Sequence, residues 1–192
     1  MPPKNKTNKK DIINAAFKIA KEEGFSGITA RNVAKRLGCS IAPIYVNFDT
    51  INDLIEAVVL QVFDISKELL ENQRSENVFE NIGKASIEFA RKYPVLFREL
   101  IMQPNPYMDS YDDFENHMLN HFDRDESTKD WTLQEQKLFL LKMRIFQTGL
   151  SVLIANEHVP EWLDDEAAEM LLLETGNDLF HIQKLKKEGK NK

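Results

Sequence analysis

The chain has 192 residues, of which 42% are hydrophobic and 29% are charged, and its formal net charge is −6 at pH 7. That length allows one large or two small domains with a buried core, and the composition is ordinary for a globular protein. A single cysteine, Cys39, excludes an internal disulfide. No run of about 18 consecutive apolar residues predicts a membrane span.

The charge is divided unevenly along the chain. Residues 1–48 contain nine basic and three acidic side chains, a balance of +6, whereas the remainder contains 16 basic and 28 acidic side chains, a balance of −12. This asymmetry predicts a basic head that meets a polyanion and an acidic body that does not. Chance clustering beside a lysine-rich tail is the alternative. The basic N-terminus has no apolar signal core after it, so we expect a cytoplasmic protein without a membrane partner.

The first four predicted elements are helices, over about 8–23, 30–37, 40–47 and 51–71, because apolar residues recur there with the helical period. The residues that mark their ends are the N-caps Thr29, Ser40 and Thr50 and the C-terminal stops Gly24 and Gly38.

The rest of the chain continues in the same way, with helices predicted over about 78–93, 95–102, 110–122, 132–155 and 165–187. No segment alternates apolar and polar residues for long enough to predict a strand. The sequence therefore predicts an all-α protein with about nine helices.

The second and third helices are short and are joined by a tight turn at residues 38–39, which is the layout of a helix-turn-helix unit. Ser40 is predicted to cap the third helix, so that its N-terminal amides could bind a phosphate. Ile41, Ala42 and Pro43 then form an apolar tip. Such a tip favours contacts with thymine methyl groups over bidentate hydrogen bonds to bases.

Residues 29–48 resemble the signature of the TetR family of one-component repressors, and they read TARNVAKRLGCSIAPIYVNF. The matching features are the capping Thr29, an aliphatic-Ala pair, a glycine before the turn, a serine, and an aliphatic-Tyr-x-x-Phe close. Leu54 fits the leucine that the family has one turn into its fourth helix. The pattern spans about 45 residues, which makes it far more specific than a short motif.

The resemblance implies which residues touch DNA. Thr29 and Tyr45 would contact phosphates, and Ser40, Ala42 and Pro43 would lie at or near base edges. The expected DNA-binding residues are Lys9, Lys10, Thr29, Arg31, Ser40, Ile41, Ala42, Pro43, Tyr45 and Asn47.

One departure from the family pattern concerns the start of the fourth helix, where Ile51 replaces a lysine that grips a phosphate. Asn47 stands where the family often has histidine and could still donate to a phosphate. We therefore expect the N-terminal lysines, which are Lys4, Lys6, Lys9 and Lys10, to supply the missing attraction through counterion release.

The resemblance also implies two domains, a three-helix DNA-binding domain over 1–48 and an effector-binding and dimerisation domain over 49–192. The helices over 132–155 and 165–187 would pair with their copies in a four-helix bundle, with a buried central helix in a monomer as the alternative. The expected dimerisation residues are Gly149, Leu150, Leu153, Leu172, Gly176 and Leu179.

A small-molecule effector pocket is the family's further implication, although ordinary core packing is the better explanation for each residue taken individually. The residues expected to line the pocket are Phe89, Tyr93, Phe97, Met102, Phe114, Met118, Met143, Phe146 and Gln147.

Together these features predict a homodimeric repressor that binds a palindromic operator in double-stranded DNA and releases it when a small molecule binds. It needs no cofactor, and the sequence contains no catalytic constellation. An activator or adaptor with the same DNA-binding head and no ligand is the main alternative. A tethered enzyme or a metal sensor at His117 and His121 is a third reading, and Cys39 either senses oxidants or fills an apolar slot.

Overall fold

The computed structural model describes residues 8–107, 116, 118–120, 122 and 128–190. In these residues every regular element is a helix, so the all-α prediction is confirmed. Most of the predicted helix over 110–122 lies outside the described residues, although the described ones at 116, 118–120 and 122 are helical. The helices are α1 (Lys9–Glu23), α2 (Ala30–Leu37), α3 (Ala42–Asn47), α4 (Ile51–Glu71), α5 (Val78–Lys92), α6 (Pro94–Ile101), α7 (Leu133–Ala155) and α8 (Asp165–Lys190).

Local capping explains where the first helices begin and end. The Asn8 side chain accepts a hydrogen bond of 2.9 Å from the backbone N–H of Asp11, and the Asp11 carboxylate accepts one of 3.3 Å from Asn8, a capping box that starts α1. Gly24, with φ of +82°, ends that helix. Thr29 caps α2 by accepting from the backbone of Asn32 at 3.1 Å. These ends match the predicted ones.

The start of α3 differs from the prediction. Ile41 is the N-cap residue, its backbone is already helical, and no side chain caps the helix. The predicted cap at Ser40 is therefore wrong: Ile41 occupies the N-cap position, and no side-chain hydrogen bond closes the first turn of the helix. Pro43 lies in the first turn as predicted, where its missing N–H costs little.

The chain divides into two compact units, which do not coincide with the predicted boundary at residue 48. The first consists of Met1–Glu68 with Lys92–Tyr107, and the second of Leu69–Arg91 with Met108–Lys192. The first unit thus includes α6 and most of α4 besides the three N-terminal helices. Its largest fully buried side chains include Ile12, Val33, Ile44, Leu54, Val58 and Leu96.

The core of the second unit is an aromatic cluster. Phe122, Trp131 and Phe139 are buried, with ring centroids 5.3–5.9 Å apart. Phe79 and Phe180 pack against them. Edge-to-face and tilted ring pairs of this kind add to the stabilisation that comes from apolar burial. The cluster joins α5, α7 and α8 around the described residues near Phe122.

Helix α7 begins with the predicted capping box. The Thr132 hydroxyl accepts from the backbone N–H of Glu135 at 3.3 Å, and the Glu135 carboxylate accepts from the backbone N–H of Thr132 at 2.9 Å. The same carboxylate lies 2.7 Å from the ammonium of Lys187, so the end of α8 is fastened to the start of α7. By length and composition α7 could cross a membrane, a test that core helices of soluble proteins also pass.

Candidate DNA-binding site

The helix-turn-helix is held by backbone hydrogen bonds at its turn. Gly38 adopts a left-handed conformation with φ of +65°, which a side chain disfavours, and its N–H donates to the Lys35 carbonyl at 3.2 Å. The N–H of Cys39 donates to the Ala34 carbonyl at 3.0 Å. Ile44 is fully buried beneath α3. The turn and this anchor fix how α3 projects from the first unit.

The outer face of α3 is apolar and open to solvent. Val46 is 83% exposed, Tyr45 52% and Ile41 50%, and Ala42 is exposed as well. Ile41, Ala42 and Tyr45 are among the residues predicted from the sequence, whereas Val46 is not. The signal was available, because Val46 is four residues after Ala42 and therefore shares its helix face.

Other predicted polar contacts have partners inside the protein. One N–H of the Asn47 amide donates to the Pro43 carbonyl at 2.7 Å, which leaves its second N–H able to donate. The Thr29 oxygen accepts the capping bond from Asn32, which leaves its hydroxyl hydrogen able to donate. Ser40 and Arg31 are exposed.

The basic residues near α1 and α2 differ in their surroundings. Lys9 and Lys10 are both exposed, and the Lys9 ammonium lies 5.0 Å from the ring centroid of Phe48, a cation–π contact. Arg36 pairs with Glu22 of α1, and this hydrogen bond lowers the pKa of the Glu22 carboxyl. Lys4 and Lys6 lie outside the described residues.

The second unit contains a small cavity of about 30 Å³ between α5, α7 and α8. Among the predicted pocket residues, Met118, Met143 and Gln147 line it. Arg144, which the sequence analysis missed, lines it too. The amide of Gln147 donates to the Ser86 hydroxyl, which lies 3.3 Å from the buried Ser151 hydroxyl. The cavity therefore has an apolar lining with a few polar groups at its edge.

The other predicted pocket residues do not line this cavity. Phe89 is buried and Phe146 half-buried elsewhere in the second unit. Tyr93, Phe97 and Met102 belong to the first unit. There the Tyr93 ring packs on Phe17, Phe97 is buried, and Met102 is exposed. Phe114 lies outside the described residues.

The predicted dimerisation residues fall into two groups. Leu150 and Leu172 are buried within the protomer, Leu179 packs against the aromatic cluster, and Gly176 lies beside Met143. These four support the second unit itself. The other two, Gly149 and Leu153, are exposed. Together with Leu138, Leu141 and Ile145 they form an exposed stripe along α7.

The hypothesis of a metal sensor at His117 and His121 is not tested, because both residues lie outside the described residues. Among the residues that are described, no group of three or more histidine, cysteine, aspartate and glutamate side chains could hold a metal ion. Cys39 is a half-buried free thiol in the turn.

Comparison with known proteins bears on the first unit and on the fold. Residues 12–58 match the sequence pattern of the family described as bacterial regulatory proteins, tetR family. None of the curated proteins compared with the chain matches it.

Two solved structures from Rhodococcus have the same fold. One, described as a TetR-family transcriptional regulator from Rhodococcus sp., superposes with a TM-score of 0.62 at 15% identity, over 88% of this chain and 96% of the other. The second, a TetR-like transcriptional regulator from Rhodococcus sp. RHA1, gives a TM-score of 0.55 at 17% identity, over 90% and 93%. Residues 12–58, which contain the helix-turn-helix, thus match the TetR-family pattern, and the chain as a whole has the fold of these two regulators.

Proposed function

We propose that the protein is a cytoplasmic, homodimeric repressor that holds a palindromic operator through α3 and releases it when a small molecule binds the second unit. The observation that carries the proposal is the exposed apolar face of α3, mounted on the fully buried Ile44 in the basic head of an acidic chain. A short helix with one face buried against the protein and the opposite face exposed to solvent can insert into a major groove.

The N-terminus of α1 supports binding to the DNA backbone. Lys9 and Lys10 occupy the first two positions of this helix. Cations are unfavourable there, because the helix dipole places partial positive charge at the N-terminus. Nearby phosphates would offset that repulsion and release counterions. Arg31 and Lys35 add two exposed cations on α2.

The exposed stripe on α7 supports dimerisation. Its members, which include Gly149, recur every three or four residues, and the four large ones, Leu138, Leu141, Ile145 and Leu153, are all exposed in the protomer. The stripe extends about 22 Å along the helix. Contiguous exposed apolar surface of this kind marks an interaction site. A second copy, related by a twofold axis, would cover it and would present two α3 helices to two half-sites.

Effector binding in the cavity between α5, α7 and α8 would require that cavity to enlarge. Its volume of about 30 Å³ accommodates about two water molecules, whereas ligand pockets commonly occupy about 300–1,000 Å³. Met118 and Met143 line the cavity, and unbranched methionine side chains readily change rotamer. We propose that the effector binds an opened state and that release of DNA follows from the shift in population toward it.

An activator or adaptor without a ligand is the second candidate. The small cavity and the exposed stripe on α7 both favour it, because the stripe could bind another protein in place of a second copy. The two candidates differ in whether any small molecule changes DNA affinity.

The test begins with selection of the preferred sequence from random double-stranded DNA by the full chain. Affinity for that sequence is then measured at several salt concentrations, and a library of metabolites is screened for compounds that lower it. A palindromic sequence, salt-dependent affinity and a compound that releases the DNA are the expected results. Specific binding that no compound alters would favour the adaptor, and failure to enrich any sequence would contradict both candidates.

A further inference from the structure

We propose that the protein recognises its operator through the C5-methyl groups of pyrimidines in the major groove, and that Val46 and Ala42 are the residues that contact them. The proposal rests on the DNA binding argued above and names the chemical feature that is read. The residues proposed to contact bases are thus Ala42 and Val46, which is one turn further along α3, and not the whole tip formed by residues 41–43.

Exposure identifies the reading face. Val46 is the most exposed large hydrophobic side chain among the described residues, at 83%. Ala42 is exposed on the same face, one turn earlier. By contrast, Pro43 is half-buried and its carbonyl accepts from Asn47 at 2.7 Å. Ala42 and Val46 therefore form a continuous apolar strip along the part of α3 that projects outward.

The polar side chains of α3 offer few of the usual bidentate contacts with bases. Recognition of guanine commonly uses Arg or Lys, and recognition of adenine uses Asn or Gln. The helix contains none of these except Asn47, and one N–H of its amide donates to the Pro43 carbonyl, which holds the side chain against the helix. The remaining donors near the face are the hydroxyls of Tyr45 and Ser40. Base contacts made by α3 itself must then be mainly apolar.

One apolar group lies on the major-groove edge of a natural base pair, and it is the C5-methyl of thymine. Its contact with Val46 would remove both groups from water. Burial of one methyl-sized group corresponds to about a fourfold change in affinity. Several such contacts in two half-sites can give substantial specificity without a buried hydrogen bond.

The test uses the sequence selected by the full chain. Each thymine is replaced in turn by deoxyuridine, which removes the methyl group and keeps base pairing. At one or more thymines in each half-site we expect affinity to fall about fourfold. Cytosine and 5-methylcytosine are then compared at the same positions, and methylation of cytosine should recover affinity.

A double-mutant comparison assigns the contact to Val46. Val46→Ala should lower affinity for the thymine operator and abolish the penalty for deoxyuridine at its contact position. The control is Leu60→Ala, because Leu60 is a 64% exposed hydrophobic residue on α4 and away from α3. This control should keep the full penalty.

Two results would overturn the proposal while leaving DNA binding intact. Either no thymine is sensitive to loss of its methyl group, or Val46→Ala retains the wild-type penalty at every sensitive thymine. If the chain selects no sequence at all, the proposed repressor function fails together with this inference. Both variants change exposed side chains, and their unfolding transitions should match that of the wild type.

Discussion

The carboxylate of Glu99 in α6 accepts a hydrogen bond of 2.7 Å from the backbone N–H of Phe25, which is 74 positions earlier in the chain. Phe25 lies in the short turn between α1 and α2, directly after Gly24. The ring of Tyr107 packs on the same phenylalanine at 6.0 Å between centroids. The turn that leads into the helix-turn-helix is thus held by α6 and by the loop that follows it.

Replacing Glu99 with alanine should destabilise the first unit by about 1–3 kcal/mol, because the partly buried N–H of Phe25 would lose its acceptor. Glu99→Gln should cost much less, since the amide oxygen can still accept. Chemical denaturation of both variants measures the difference. Equal losses for the two would show that charge, and not the hydrogen bond, matters.

Gly24→Ala should also destabilise the protein, by about 1–3 kcal/mol. The glycine has φ of +82°, and a Cβ atom there would lie 2.2 Å from Oε1 of Glu99. Gly189→Ala is the matched control, because nothing lies within 4 Å of its added Cβ. The control should be neutral or slightly stabilising, as expected for alanine in a helix. If both substitutions are neutral, the described close approach is incorrect.

The pKa of Glu135 predicts how stability depends on pH. Hydrogen bonds from Lys187 and Thr132 lower it from 4.5 to about 2. Because the folded-state pKa is depressed, this group stabilises the fold above about pH 4.5, and the contribution disappears as pH falls toward 2. Since the carboxylate is partly exposed to solvent, we expect about 1 kcal/mol at neutral pH.

The measurement for Glu135 compares unfolding free energies of the wild type and Glu135→Gln from pH 7 to pH 2. The two curves should converge at low pH. Glu161→Gln serves as the control, because Glu161 is an exposed loop residue with no role in the capping box. A gap between wild type and Glu135→Gln that stays constant with pH would contradict the assignment.

Ile145→Glu should convert the proposed dimer into a folded monomer. Ile145 lies in the exposed stripe of α7, so a charge there does not disturb the protomer but would be buried between two copies. Sedimentation equilibrium measures the mass, and operator affinity should fall because the two half-sites are no longer bound together. Leu60→Glu, outside the stripe, should leave the dimer intact. A dimer that survives Ile145→Glu places the interface elsewhere.

Substitutions of Lys9 and Lys10 should have different effects, on folding stability for Lys9 and on DNA binding for Lys10. Lys9→Gln removes the cation–π contact with Phe48 and should cost about 0.5–1 kcal/mol of folding stability. Lys10→Gln should leave stability unchanged or raise it slightly, because it removes a cation from the helix N-terminus. It should also reduce the dependence of log affinity on log salt by about one unit. Anisotropy titrations at several salt concentrations check the second effect. A salt dependence untouched by Lys10→Gln would remove that lysine from the DNA contacts.

Local signals in the sequence predicted most helix boundaries. Helix ends are set by interactions within a few residues, so the local sequence reveals them. Examples are the caps at Thr29 and Thr132 and the stops at Gly24 and Gly38. The cap at Ser40 was wrong because Ile41 begins the turn in a helical conformation, a preference that one serine does not reveal.

Long-range packing was harder to predict. The pocket residues were chosen for their apolar character, yet Tyr93, Phe97 and Met102 belong to the first unit and Met118, Met143 and Gln147 line the cavity of the second. Periodicity shows that a side chain is apolar and on which helix face it lies. It does not show which compact unit the helix joins, and for that reason the contact between Glu99 and Phe25 had no signal in the sequence.

The unit that contains the helix-turn-helix is assembled from two separate segments, one up to Glu68 and another over Lys92–Tyr107. This unit is therefore not one contiguous segment of the chain. A chimera that joins this head to the body of another regulator should keep its fold only if both segments are transplanted together. Recombination at a single junction near residue 48 would leave Phe25 without its contacts with Glu99 and Tyr107.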